Sequence, residues 1–301
     1  MPRSGTTGVG SALGFAPHSA YLYEPLNPLS GLRTVEDYFL FPGDSTNGVS
    51  LEEQLDQVFR VSLRVRNGIW DTDTGLRRVV KHVTGSRTRM SALRCRLDPR
   101  VRTVIWKDPF ASFLAATVAS EYGVPGLVTV RSPEAAAASF KRLGWDFDVN
   151  RIRDRLEELA PGTDFVAQDP AWTRWAGEPA TNAALLWRLL YGYLDHTLTD
   201  DLPVSWVNVH QLIKNPVETY RPLFERLELP FSDRTRAAIE HTYRDEGTSQ
   251  PSATKAHDRK RNVQESNSYW SNTLTASEQA AISEITADVR RRVEARVGGL
   301  G

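Results

Sequence analysis

An α/β fold, a parallel sheet flanked by helices, is predicted by three features of the sequence. Short β-rich apolar runs at 101–106 (VRTVIW), 126–130 (GLVTV) and 204–209 (VSWVNV) each give way to polar residues and then to a helix-like segment. That is the rhythm of parallel strands joined by crossover helices. Apolar residues at helical spacing fill much of the remainder, so helix is in excess. The 301 residues are 40% hydrophobic and 25% charged, which suits a single domain with one sizeable core.

The strand at 101–106 is followed by Phe110, Phe113, Leu114, Val118 and Tyr122 at helical spacing. After the run at 126–130, Ser132-Pro133 supplies an N-cap and an N1 proline for a helix through about Leu143. Ser50-x-x-Glu53 and Thr275-x-x-Glu278 are capping boxes that start two more helices, and an apolar stripe over 181–198 marks another. Residues 31–100 contain no convincing strand and read as helices joined by Gly, Asp and Thr turns (GDSTNG, DTDTG), a helical cap inserted in the domain. Residues 246–272 are polar and carry a basic cluster, Lys255, Arg259, Lys260 and Arg261, in what reads as a long mobile loop.

Charge and cysteine content exclude whole classes of function. The 37 acidic residues balance 37 Lys+Arg, which removes the electrostatic footprint of a general nucleic-acid or anionic-membrane binder. Cys95 stands alone, so neither an intrachain disulfide nor a CxxC zinc site can form. With no 18-residue apolar run, a reducing cytoplasm is the expected location. Asp71 and Asp73 share a turn but lack further ligands, so no metal is expected. Trp172, Trp175 and Trp187 are expected in core packing.

The strongest chemical signal is Pro2-Arg3-Ser4-Gly5-Thr6-Thr7, followed by the small-residue stretch Gly8 to Gly14 that can begin a helix. A Gly-containing loop running into a helix N-terminus presents backbone N–H groups and the positive end of the dipole to an anion. The hydroxyls of Ser4, Thr6 and Thr7 add donors, and Arg3 adds charge. No Gly-Lys-Ser/Thr occurs, so the loop is not Walker A. Gly8, Gly10 and Gly14 are spaced one residue too long for the dinucleotide fingerprint.

This loop resembles the 5′-phosphosulfate loop of the PAPS-dependent sulfotransferases, which reads Pro-Lys/Arg-Ser-Gly-Thr-Thr. A second anchor agrees: Val128-Thr129-Val130 runs into Arg131-Ser132-Pro133, and Ser139 falls eight residues after Arg131. In that family such an arginine and serine hold the 3′-phosphate of the nucleotide. Arg131 also ends a presumed parallel strand, the edge where open α/β sheets bind ligands, and its fork matches a phosphate dianion. Tyr23-Glu24-Pro25-Leu26 is similar to the Glu-Pro-Leu segment of the carbohydrate-type branch, and Trp106-Lys107-Asp108-Pro109 to the Lys-x-Pro of bacterial members. Val209-His210-Gln211-Leu212 with Pro216 resembles the Tyr-Glu-Asp-Leu…Pro stretch, and Tyr269-Trp270 the closing segment. Three departures stand out: Arg3 replaces the lysine of the cytosolic branch, no tryptophan follows Thr7, and His210-Gln211 replaces Tyr-Glu-Asp.

The resemblance implies a P-loop-like parallel sheet and transfer of a sulfuryl group from PAPS to an acceptor hydroxyl, on a carbohydrate or another small molecule. Glu24 is the favoured base and His18, six residues earlier, its competitor. Arg3, Ser4, Gly5, Thr6 and Thr7 would bind the phosphosulfate, with Arg131, Ser139, Arg259 and Lys260 on the 3′-phosphate. Lys107 would face the acceptor, or else pair with Asp108. The alternatives are a P-loop small-molecule kinase and a non-catalytic PAP- or phosphate-binding protein. A P-loop-like fold also delivers its phosphate loop from a buried central strand, an apolar run of about five or six residues. Pro2 follows Met1 directly, so the first strand is expected to be missing from this sequence, on about 5–15 further residues of the natural chain.

Overall fold

The computed structural model describes residues 1–67, 85–166, 170–243 and 270–298. Left-handed Gly5 (φ 79°) leads into helix α1 (Thr6–Leu13), and strand β1 (Ser19–Tyr23) returns from it. A small hairpin of β2 (Ser45–Thr46) and β3 (Val49–Ser50) runs into α2 (Leu51–Phe59), and α3 (Arg87–Leu97) leads to β4 (Thr103–Lys107). A 3-10 helix (Pro109–Leu114), α4 (Ala115–Tyr122) and β5 (Gly126–Val130) follow, then α5 (Pro133–Leu143), α6 (Val149–Leu159), α7 (Pro170–Trp175) and α8 (Pro179–Thr197). The chain closes with β6 (Val204–Asn208), α9 (Val209–Lys214), α10 (Pro216–Arg226), α11 (Asp233–Tyr243), α12 (Trp270–Thr273) and α13 (Ala276–Val297).

The strands do not form one sheet. β1 pairs in parallel with β4, from Ser19 opposite Thr103 to Tyr23 opposite Lys107, and β5 pairs in parallel with β6, from Gly126 opposite Val204 to Val130 opposite Asn208. β4 and β5 are not hydrogen-bonded to each other, and a cavity of about 490 Å³ lies between them. The expected single sheet is therefore split along its middle.

Local signals explain most elements. Both capping boxes form, with Ser50 Oγ accepting from Glu53 N at 3.3 Å and Thr275 Oγ1 from Glu278 N at 3.2 Å. Two differences from expectation are instructive. β1 is a strand because Ala20 and Leu22 point into one core cluster while Tyr21 and Tyr23 take the other face, a period-2 pattern only five residues long. The segment 31–100 is not purely helical, since Asn47 (φ 52°) and Gly48 (φ 72°) make the two-residue turn of the β2–β3 hairpin.

Helix α8 organises the centre, packing on α5 and α13 and burying Trp187 and Tyr191 completely. Gly192 follows Tyr191, and a Cβ there would lie 2.4 Å from Phe165 Cβ and 2.6 Å from its Cγ. Glycine inside a helix is ordinarily about 1 kcal/mol worse than alanine, so here close packing overrides propensity. Gly192→Ala should therefore destabilise the protein, by about 1–3 kcal/mol of overpacking, in chemical denaturation. An unchanged or raised midpoint would contradict this packing.

Candidate functional site

The loop 1–5 sits at the carboxyl ends of β4 and β5. Arg3 (φ 67°) and Gly5 (φ 79°) are both left-handed, which folds the loop tightly before α1. At Gly5 a Cβ would fall 2.9 Å from Val209 Cγ1, so the position excludes any side chain. Gly5 gives α1 no side-chain cap, and the first amides of a helix have no intrahelical acceptor. An anion is a natural partner for them. Thr6 and Thr7 are half-buried in that first turn.

Ser4 differs from expectation. It is fully buried, its Oγ donates to Met1 O at 2.6 Å and lies 3.0 Å from Thr129 Oγ1. Its one hydroxyl proton is thus committed inside the loop, fixing the loop's shape and not facing a ligand.

β5 delivers the second anchor to the same place. Arg131, 8% exposed, donates from Nη1 to Arg3 O at 3.2 Å, and Arg3 Nε donates to Ser139 Oγ at 2.8 Å. Residues separated by 128 and 136 positions are joined by these two bonds. Ser132 Oγ accepts from Ala135 N at 3.4 Å and Pro133 opens α5, which turns Ser139 toward Arg3 two helical turns later. Sequence reasoning missed the supports behind β5: Trp187 Nε1 donates to Arg131 O at 3.0 Å and Tyr191 O–H to Thr129 O at 2.7 Å. Their four-residue spacing on one helix face was the available signal. Trp172 and Trp187 are buried, as core tryptophans should be.

A second cluster lies at the ends of β1 and β4. Glu24 N donates to Lys107 O at 2.8 Å, extending the strand pairing, and Lys107 Nζ donates to Glu24 Oε1. Asn27 Nδ2 donates to Glu24 Oε2 at 2.8 Å, and the ammonium of Lys107 lies 4.5 Å from the Tyr23 ring centroid. Both charged groups are buried, and burial pulls the Lys107 ammonium below its ordinary value. Lys107 therefore pairs with Glu24 and not with Asp108. The Asp108 carboxylate instead accepts from Leu26 N at 2.6 Å and Phe110 N at 3.0 Å. Burial first, then the charge of Glu24, pushes its pKa up to about 7.

His18 does not join this cluster. It is exposed at the amino end of β1, with Nδ1 3.2 Å from Arg100 O, while Glu24 follows the carboxyl end. A strand of five residues spans roughly 17 Å, which separates the two candidate bases completely. Arg259, Lys260, the rest of the basic cluster, Asp71 and Asp73 lie outside the described residues. The last residues of the expected loop are described, and they form α12 (Trp270–Thr273). Among the described residues no helix is long and apolar enough to cross a membrane, and no group of three or more His, Cys, Asp and Glu is placed to hold a metal ion.

No protein-family model matches the chain, and no curated protein does. Among solved structures the chain is similar to one titled "Sulfotransferase Domain from the Curacin Biosynthetic Pathway", at 13% identity, covering 95% of this chain and 94% of that one with a TM-score of 0.42.

The raised pKa of Asp108 sets a sign for stability. A buried acid holds its proton in the folded state between about pH 4 and 7 while the unfolded chain has released it, so its contribution to stability falls as pH rises through that window. Asp108→Asn should flatten that part of the profile, by on the order of a few kcal/mol between pH 4 and 8 relative to the parent protein. Parallel melting profiles for the two proteins would contradict the assignment.

Proposed function

We propose that this chain is a sulfotransferase that moves the sulfuryl group of PAPS to the hydroxyl of a carbohydrate or another small molecule. The observation that carries the reading is the junction of Arg3, Arg131 and Ser139 beside the left-handed Gly5 loop, with a buried carboxylate at the neighbouring strand end. Arg131 and Ser139 receive the 3′-phosphate. Arg3, the amides opening α1 and the hydroxyls of Thr6 and Thr7 receive the phosphosulfate and stabilise charge growing on its oxygens.

Glu24 acts as the base. Its Oε1 is held by Lys107, so the half-buried Asn27 amide on Oε2 is the partner that an acceptor hydroxyl displaces. The acceptor oxygen attacks sulfur as the bond from sulfur to the bridging phosphate oxygen breaks. The hydroxyl proton passes to Glu24, and PAP departs with the bridging electrons. Lys107 orients Glu24 through Oε1, and its charge attracts any anionic group on the acceptor. The reading places the reaction in the cytoplasm without a metal ion.

Thermal shift with PAP, and with ATP plus magnesium, is the first test. PAP stabilisation in chelator supports the reading, whereas a response to ATP and magnesium alone would favour a kinase. PAP binding with no turnover on any acceptor hydroxyl would leave a binding protein.

Two substitutions probe the roles separately. Arg131→Ala should weaken PAP far more than ADP, which lacks the 3′-phosphate, by about 10- to 150-fold for a charge-assisted contact. Equal losses in calorimetry would remove Arg131 from the 3′-phosphate. Glu24→Gln should keep PAP affinity and lose roughly 10²–10⁴ in transfer rate. Retained activity in that variant, with His18→Ala inactive, would reverse the choice of base.

A further inference from the structure

The hydroxyl of Tyr21 is a buried donor that the fold leaves unused. Its oxygen is shielded from solvent and has no hydrogen-bond partner among the described residues. A buried hydroxyl without a partner carries its full desolvation penalty, and native structures hold few such groups. Phenylalanine would fill the same space without that penalty, so packing does not account for the oxygen.

Two glycines beside the ring show where the hydroxyl points. A Cβ at Gly14 would stand 3.4 Å from Tyr21 Cβ, and a Cβ at Gly10 would stand 2.4 Å from Tyr21 Cε2. Positions four apart on a helix are separated by roughly 6 Å along its axis, so the ring runs back along α1 from Gly14 to Gly10. The phenolic oxygen lies beyond Cε2, farther toward Thr6 and Thr7, where the helix amides open. The same point at Gly10 is 3.1 Å from both Cβ and Cγ of Lys107, so the Lys107 stem and the Tyr21 ring stand side by side against the helix. On β1, Tyr21 shares a face with Tyr23, the two ring centroids being 6.1 Å apart, and Glu24 follows directly. Burial holds the phenol well above its ordinary pKa, and the charges of Arg87, Glu24 and Asp108 all reach it, so it stays a proton donor.

We propose that Tyr21 Oη donates a hydrogen bond to a non-bridging oxygen of the sulfuryl group of bound PAPS. This assignment rests on the sulfotransferase reading above. In that reading the amides opening α1 hold the phosphosulfate, and sulfur must face Glu24 for an acceptor hydroxyl to lose its proton as it attacks. The sulfuryl group is what lies between the two, and the Tyr21 hydroxyl is aimed from the side of the helix toward that space. A neutral donor there stabilises the charge on the sulfuryl oxygens without placing a second cation beside Lys107. During transfer the bond from sulfur to the bridging phosphate oxygen breaks, the bond to the acceptor oxygen forms, and the acceptor proton goes to Glu24. Tyr21 keeps its own proton throughout and contributes only the hydrogen bond.

Tyr21→Phe keeps the ring over Gly10 and removes only the oxygen. Calorimetry with PAPS and with PAP, no acceptor present, compares both ligands on the parent protein and the variant. The variant should lose about 10-fold or more in affinity for PAPS and less than about twofold for PAP, because PAP lacks the sulfuryl group. Its Tm without ligand should be unchanged or higher, since no internal hydrogen bond is lost. Equal losses for both ligands, or no loss for either, would overturn the role of Tyr21, while binding of both by the parent protein leaves the sulfotransferase reading standing. A lowered Tm would show that the hydroxyl serves the fold and would overturn the proposal as well. A parent protein that binds neither ligand would fail the sulfotransferase reading, and the role of Tyr21 with it.

Discussion

The carboxyl end of β5 is where two constraints meet, and the geometry of the phosphate loop follows from both. From behind, Trp187 and Tyr191 of α8 donate to the carbonyls of Arg131 and Thr129, so the strand end is fixed against two fully buried aromatic side chains. From the front, Thr129 Oγ1 meets the buried Ser4 hydroxyl, and Arg131 reaches the carbonyl of Arg3. The loop thus takes its position from β5 and its curvature from two left-handed residues. Hydrogen bonds in a site from which water is excluded are worth more than exposed ones, and removing one partner leaves the other with its full desolvation penalty. That is why a loop of small residues can be held in one shape.

The neighbouring strand end works by charge. A buried carboxylate and ammonium are each expensive to desolvate, and the pair survives because Asn27 and the strand backbone satisfy what remains. Asp108 sits outside the pair, holding two backbone N–H groups, and feels Glu24 as a like charge. Of the two carboxylates, Glu24 is held by Lys107 and Asn27, and Asp108 anchors the turn after β4. Environment, not residue type, divides the roles.

What was legible in the sequence was what local chemistry dictates. Ser132-Pro133 fixes the start of α5, and the spacing of Arg131 and Ser139 carries both to the Arg3 junction. The capping boxes start α2 and α13 where they should. Features set by tertiary pairing were not legible. β1 is too short for its alternation to stand out between Pro17 and Pro25, and without β1 there was no way to see that His18 and Glu24 occupy opposite ends of one strand. Ser4 reads as a ligand donor in any Ser-Gly-Thr-Thr run, and only the proximity of Thr129, far along the chain, turns it inward. Lys107 and Glu24 are likewise joined by strand register, which sequence spacing does not encode.

Met1 links the two halves of the site. Its nitrogen lies within the field of both Lys107 and Asp108, the first disfavouring a charge there and the second favouring it. The loop backbone joins the two strand ends physically: the Met1 carbonyl accepts from Ser4 Oγ, which meets Thr129 of β5, and the Met1 nitrogen lies beside Lys107 at the end of β4.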